Sequence, residues 1–128
     1  MTAPFLLDTD VLIDYLRGRP DAVAFVSGAG WRLQISSVTV AELYVGVREG
    51  DERTYLERLI SILEIIDITP AIAMQAGLWR RDYGKSHGTG LMDTLIAATA
   101  YHAGSTLVTL NTKRFPMLKN VQAPYRKN

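Results

Sequence analysis

The stretch "FLLDTDVLIDYL", residues 5–16, sets aspartates at positions 8, 10 and 14 directly behind an apolar run. Residues 4–7, "PFLL", read as a short buried strand, because an unbroken apolar run has no polar face to turn to solvent. Asp10 is placed to cap a helix that runs to the Arg-Gly pair at 17–18. Asp8 then lies at the carboxyl end of the strand, the end at which parallel α/β sheets hold their ligands. Asp14, with Arg17 three residues on and Gly18 four on, is expected on an exposed helix face.

The same alternation continues outward. A second short helix follows Pro20 and ends near "SGAG" (27–30), and "RLQIS" (32–36) alternates like a strand. Ser37 or Thr39 opens a helix through Val47. "DERTYLERLISILEI" (51–65) begins with acids and carries an apolar helical stripe at 56, 59, 60 and 63. "IIDI" (65–68) is a short β-branched strand, and Pro70 suits the first turn of a helix to about Lys85. "GKSHGTG" (84–90) reads as a flexible loop. "LMDTLIAATAYHAG" (91–104) is a helix of small residues closed by Gly104, and "STLVTL" (105–110) is another buried strand. Short apolar strands alternating with helices, with no linker or repeat between them, predict one α/β domain over residues 1–128. Its expected architecture is three-layer α/β/α around a central, mainly parallel sheet. Asn111 and Lys113 follow the last strand and share Asp8's end of that sheet.

The bulk properties are those of an ordinary globular chain, 48% hydrophobic and 21% charged over 128 residues. With no cysteine, disulfide scaffolds and thiolate–zinc sites are excluded. No window has the apolar length of a membrane span, and the N-terminus lacks the features of a signal peptide, so a cytoplasmic protein is expected. The net charge of +1 hides an asymmetry: residues 1–67 hold 11 acids and 6 bases, residues 68–128 hold 2 acids and 8 bases. Lys113, Arg114, Lys119, Arg126 and Lys127 are the only charged residues among the last eighteen, which form either a solvated tail or a surface for a polyanion.

Two further acids stand out by neighbourhood. Glu42 has Val38, Val45 and Gly46 as its helical neighbours, an apolar face where a carboxylate needs a counter-ion or a metal. Asp93 faces Ile96, Ala97 and Ala100, although its place in the first turn of a helix is also one that the dipole favours. Asp8, Glu42 and Asp93 gathered in one site would repel, and their pKa values would rise unless a cation neutralised them. His87 and His102 are isolated, so the ligands are all oxygen. That set suits Mg²⁺ or Mn²⁺, which polarises a phosphodiester and acidifies water for in-line attack.

Four segments carry a family resemblance: "FLLDTDVLIDYLRG", "SSVTVAELYVGV", "LMDTLIAATA" and "TLVTLNTKRF". In order and separation they resemble the motif regions of PIN-domain ribonucleases, specifically the VapC-type toxins of toxin–antitoxin pairs, over essentially the whole chain. The resemblance implies a metal-dependent endoribonuclease with Asp8, Glu42 and Asp93 as the ligands of Mg²⁺ or Mn²⁺. It also implies an RNA substrate, a cognate antitoxin and a homodimer. Asn111 stands where many PIN domains carry a fourth acid, so one divalent ion is expected to bind firmly and a second weakly. Thr9, Thr109 and Asn111 are candidate polar groups that orient the carboxylates. Arg80, Arg81, Lys85, Lys113 and Arg114 are candidate contacts to RNA phosphates. The helices at 11–16 and 56–63 supply Val11, Leu12, Tyr15, Leu56, Leu59, Ile60 and Leu63, more apolar side chains than one sheet face needs, and the resemblance implies a groove near them for the antitoxin's C-terminal segment.

Two rivals use the same aspartates. A haloacid-dehalogenase-type phosphatase would make Asp8 of "DTD" its nucleophile, but Val11 and Leu12 follow, and residues 68–128 offer only Asp82 and Asp93 to help bind its metal. A phospho-acceptor receiver domain would use Asp8 and Asp10 for Mg²⁺, Asp67 as acceptor and Lys113 as contact, leaving Glu42 and Asp93 without a task. "GKS" at 84–86 is not a phosphate-binding loop, since Trp79 occupies the position of its first glycine and a helix precedes it.

Overall fold

A computed structural model describes residues 3–29 and 32–126 of the chain. The first strand, β1 (Phe5–Leu7), is followed by α1 (Thr9–Leu16), α2 (Pro20–Gly28), β2 (Leu33–Ser36), α3 (Ser37–Val45) and α4 (Asp51–Ile62). Then come β3 (Glu64–Ile66), α5 (Pro70–His87), α6 (Leu91–Ala103), β4 (Thr106–Val108), a single 3-10 turn (Thr112–Arg114) and β5 (Val121–Gln122). The sheet order is β3-β2-β1-β4-β5, and every neighbouring pair is parallel. The three-layer α/β/α fold expected from the alternation is the fold found.

Alternation along the strands sorts the two layers. Leu7, Ile35 and Val108 point to one face, where Val11, Leu12, Leu43, Leu56 and Leu59 from α1, α3 and α4 cover them. Leu6 and Leu107 point to the other face, against Ile96, Ala97 and Ala100 of α6 and against Phe115. Small residues let α5 lie close on α6, with Ile72 and Ala76 packed on Ala98. Because β2 and β4 flank β1 on opposite sides, the chain leaves β1 in one direction and returns on the other. A crevice opens at such a reversal, at the carboxyl ends of β1 and β4.

Several boundaries differ from the sequence reading. Asp8, not Asp10, caps α1: its side chain accepts from the Thr9 amide, so Asp10 falls inside the first turn. Ser36, rather than Ser37 or Thr39, caps α3 by accepting from the Val38 amide. β3 stops at Ile66 because Ile68 turns into the α5–α6 layer and its amide donates to Ser37 Oγ. Residues 84–87 are helical, not loop. Tyr83 packs edge-on against His87 one turn later, and Gly88, at φ +63°, supplies the left-handed cap that ends α5. Gly30 and Lys127 lie outside the described residues.

The C-terminal segment is not merely a solvated tail. It returns as β5, beside β4, and carries Tyr125 onto α1, where its hydroxyl donates to Asp14 Oδ2 at 2.8 Å. Asp14 is therefore buried, not on the surface, with Arg19 Nε 3.9 Å away. Burial and the hydrogen bond to Asp14 push the Tyr125 phenol up.

Candidate active site

Asp8 sits where β1 becomes α1, and the fold holds it at both oxygens. One accepts from the Thr9 amide at 2.8 Å, the other from Thr109 Oγ1, at the exit of β4, at 2.8 Å. Only 6% of the residue is exposed. Burial pushes the Asp8 carboxyl up to about 7, Asp10 and Asp93 add to the rise, and the bonds from Thr109 and Thr9 oppose it.

Glu42 approaches from α3. Its Oε1 accepts from Thr9 Oγ1 at 2.7 Å, and Thr9 Oγ1 also hydrogen-bonds with Thr39 Oγ1 at 3.1 Å. The face around Glu42 differs from the expected apolar stripe, because Val45 is 88% exposed and Gly46 is open to solvent. Glu42 stands at the rim of a groove rather than against the core. Asp93 enters from the first turn of α6, half-buried, with Oδ2 accepting from the Gly90 amide at 3.1 Å. Arg114 Nη1, on the 3-10 turn, lies 3.8 Å from the same oxygen. Thr89 Oγ1 donates to the Arg114 carbonyl at 2.7 Å and so ties that turn to the start of α6.

Asp10, expected from the sequence to cap α1, is instead part of this crevice. Its Oδ2 accepts from the Leu110 amide at 3.2 Å and from Asn111 Nδ2 at 3.1 Å, while its Oδ1 is buried with no hydrogen-bond partner among the described residues. Burial raises its pKa against those opposing bonds. Asn111 completes the group by donating its own amide to Thr109 Oγ1 at 3.1 Å. Thr39 was also missed; its position one turn before Glu42 is the signal that could have found it.

The basic candidates divide. Arg114 leaves the 3-10 turn beside Asp93 and Lys113 is exposed on the same turn, whereas Arg80, Arg81 and Lys85 lie on the exposed side of α5. Arg80 folds across Gly84, where a Cβ would collide with its guanidinium, and Arg81 pairs with Asp82 at 2.9 Å. His87 bonds Ser86 Oγ at 2.7 Å and His102 packs against Tyr101, so neither joins the crevice. Among the described residues, no three acidic or histidine side chains close on one point as a finished metal cage. The hydrogen bonds explain this, because Glu42 is turned to Thr9, Asp10 to Asn111 and Asp93 to Gly90.

Residues 5–120 match the PIN domain, and the chain belongs to that family. It is 41% identical over 123 residues to Ribonuclease VapC10 of Mycobacterium tuberculosis, covering 94% of this chain and 92% of the relative. With Ribonuclease VapC19 of the same organism it shares 37% over 124 residues, covering 94% and 98%. A toxin–antitoxin complex from Klebsiella pneumoniae contains a chain with the same fold at a TM-score of 0.83 and 31% identity, covering 95% of this chain and 98% of that one. Within the PIN family this chain belongs with the VapC ribonucleases, the endoribonuclease toxins of toxin–antitoxin systems. The phosphatase and receiver readings are set aside.

Proposed function

We propose that the chain hydrolyses RNA phosphodiester bonds with the help of Mg²⁺ or Mn²⁺ held by Asp8, Glu42 and Asp93. The observation that carries this reading is Asp8: a carboxyl buried at a strand end, pushed up to about 7, with further acids around it. A nearby cation would counteract both influences by favouring the charged form. The donors are hard oxygens, a set that suits these ions. When bound, such an ion polarises the phosphodiester and acidifies a water for attack.

The protein's own contribution is orientation. Thr109 and the Thr9 amide hold the two Asp8 oxygens, Thr9 aims Glu42, and the Gly90 amide aims Asp93. Lys113 and Arg114, just beyond the crevice, are suited to hold the RNA backbone, and Arg80, Arg81 and Lys85 to extend that contact along α5.

The partner is a cognate antitoxin. Val11, Leu12, Leu56, Leu59 and Leu63, once candidates for its groove, are consumed by the monomer's core. What remains open is a groove of about 510 Å³ between α1, α3 and α4, where Ile13, Leu16, Val47 and Tyr55 face Glu42, Arg48 and Glu52. An amphipathic segment fits there helix-in-groove fashion. Exposed Met74 and Leu78, one turn apart on α5, with Leu91 and Met92 on α6, suit a homodimer contact. No helix among the described residues is long and apolar enough to cross a membrane; a cytoplasmic location accords with an RNA substrate.

The test is cleavage of RNA by the purified protein, with and without chelator, beside Asp8→Asn. Co-expression with the protein encoded next to it should relieve toxicity and yield a co-purifying complex. Chelator-resistant cleavage equal in both proteins would refute the metal site, and a neighbour that neither binds nor protects would refute the partner.

A further inference from the structure

We infer that Asp10 and Asn111 form a charge-matched clasp that positions Thr109, and through it Asp8, so that neither residue can change its charge alone. Five hydrogen bonds support this. Asp10 Oδ2 holds the Leu110 amide and Asn111 Nδ2, Asn111 N holds Thr109 Oγ1, and Thr109 Oγ1 holds Asp8 Oδ2, whose partner oxygen holds Thr9. Together with the backbone from Asp8 to Asp10 and from Thr109 to Asn111, these bonds close a ring between the start of α1 and the exit of β4. The residues it joins are separated by 100 positions or more in sequence.

Donor and acceptor roles in the ring are not interchangeable one at a time. The amide at 111 donates 3.1 Å away to a carboxylate that is already partly buried. When both are ionised, an aspartate at 111 would set two acceptors face to face across that distance, and they would repel. The loop would have to swing away, taking Asn111 N off Thr109 and leaving Asp8 with one orienting donor fewer. A neutral residue at 111 is therefore a requirement of the acid at 10, and not simply a missing fourth acid. Asp10 and Asn111 act here as positioning residues. The link to catalysis rests on the site proposed above, whereas the clasp itself does not.

The experiment is a double-mutant cycle: wild type, Asp10→Asn, Asn111→Asp, and the double variant with both changes, which restores one acid and one amide. RNA cleavage is measured at saturating Mn²⁺, and melting is measured separately in chelator. Asn111→Asp is expected to lower kcat at least tenfold with KM within about threefold, and to melt lower than wild type. Adding Asp10→Asn is expected to recover part of both losses, because it removes the like-charge pair while its amide cannot both donate to an aspartate at 111 and accept from the Leu110 amide at the one position that Asp10 Oδ2 now fills. Additive effects in the melting cycle would overturn the clasp whatever the enzyme does, and so would a double variant that folds no better than Asn111→Asp. Coupled melting with additive kcat effects would overturn the link from clasp to Asp8. If no protein in the set cleaves RNA in any metal, the ribonuclease site falls, while the melting cycle still decides the clasp.

Discussion

Asp8→Asn removes the carboxyl that the fold least tolerates in its charged form, and its effect on stability can be worked from the structure. Asp8 is 6% exposed, and its carboxyl is pushed up to about 7 from an ordinary 3.8. Between those two values the folded protein binds more protons than the unfolded chain, so stability is lost as pH rises through the window from about 4 to about 7. At pH 8 the full difference corresponds to about 4 kcal/mol, and at pH 5 to less than half of that. Asparagine caps a helix about as well as aspartate, so the bond from the Thr9 amide survives. The other oxygen becomes an NH₂ facing Thr109 Oγ1, which already accepts from Asn111 N, and the lost donor–acceptor match costs about 1 kcal/mol. Solvent relaxation around the charge takes a further share, leaving a net gain of about 2 kcal/mol at pH 8. For a chain of this size that raises the melting temperature by about 7 °C. The assay is thermal melting in chelator at pH 8 and pH 5, with Mg²⁺ added in a third series. The variant should melt higher at pH 8, the gap should shrink at pH 5, and saturating Mg²⁺ should stabilise only the wild type. A variant that melts no higher at pH 8, or a gap that does not narrow at pH 5, would refute the reasoning.

Asp93→Asn and Glu42→Gln should each abolish metal-dependent RNA cleavage while retaining the fold by circular dichroism; wild-type rates in nuclease-free preparations would remove them from the site. Thr109→Val deletes a bond that favours the charged Asp8 carboxylate, so the acid limb of the pH–rate profile should move to higher pH and kcat should fall about tenfold or more; an unmoved profile would disconnect Thr109 from Asp8. Tyr125→Phe takes one donor from buried Asp14 and should cost about 1–3 kcal/mol in denaturant unfolding with RNA cleavage unchanged; unaltered stability would make the C-terminal contact incidental. Gly46→Trp adds bulk where a Cβ meets open space at the α1–α3–α4 groove, so melting should hold while antitoxin co-purification is lost; an intact complex would place the partner elsewhere.

What the sequence determined by itself is everything that local pattern carries. Buried strands are short apolar runs, helices are apolar stripes with caps, and their alternation implies a parallel sheet whose carboxyl ends hold the site. Asp8 was legible because it directly follows such a run, and Thr9 because it stands beside Asp8, although the bonds of its hydroxyl to Glu42 and Thr39 run across the fold. The motif order carried Glu42 and Asp93, whose nearest helical neighbours alone misjudged Glu42's surroundings. Only the tertiary structure decided which residue caps α1, since Asp8 and Asp10 are equally good caps by type, and the difference lies in what waits across the crevice. Asp10 is drawn to Leu110 and Asn111, and Asp14 to Tyr125, all about a hundred residues away. β5 was invisible for the same reason, being two residues whose only strand character is the edge of β4 beside them. Side-chain periodicity records which face of an element is apolar, but hydrogen bonds between ends of different strands depend on register and approach, which no local pattern encodes.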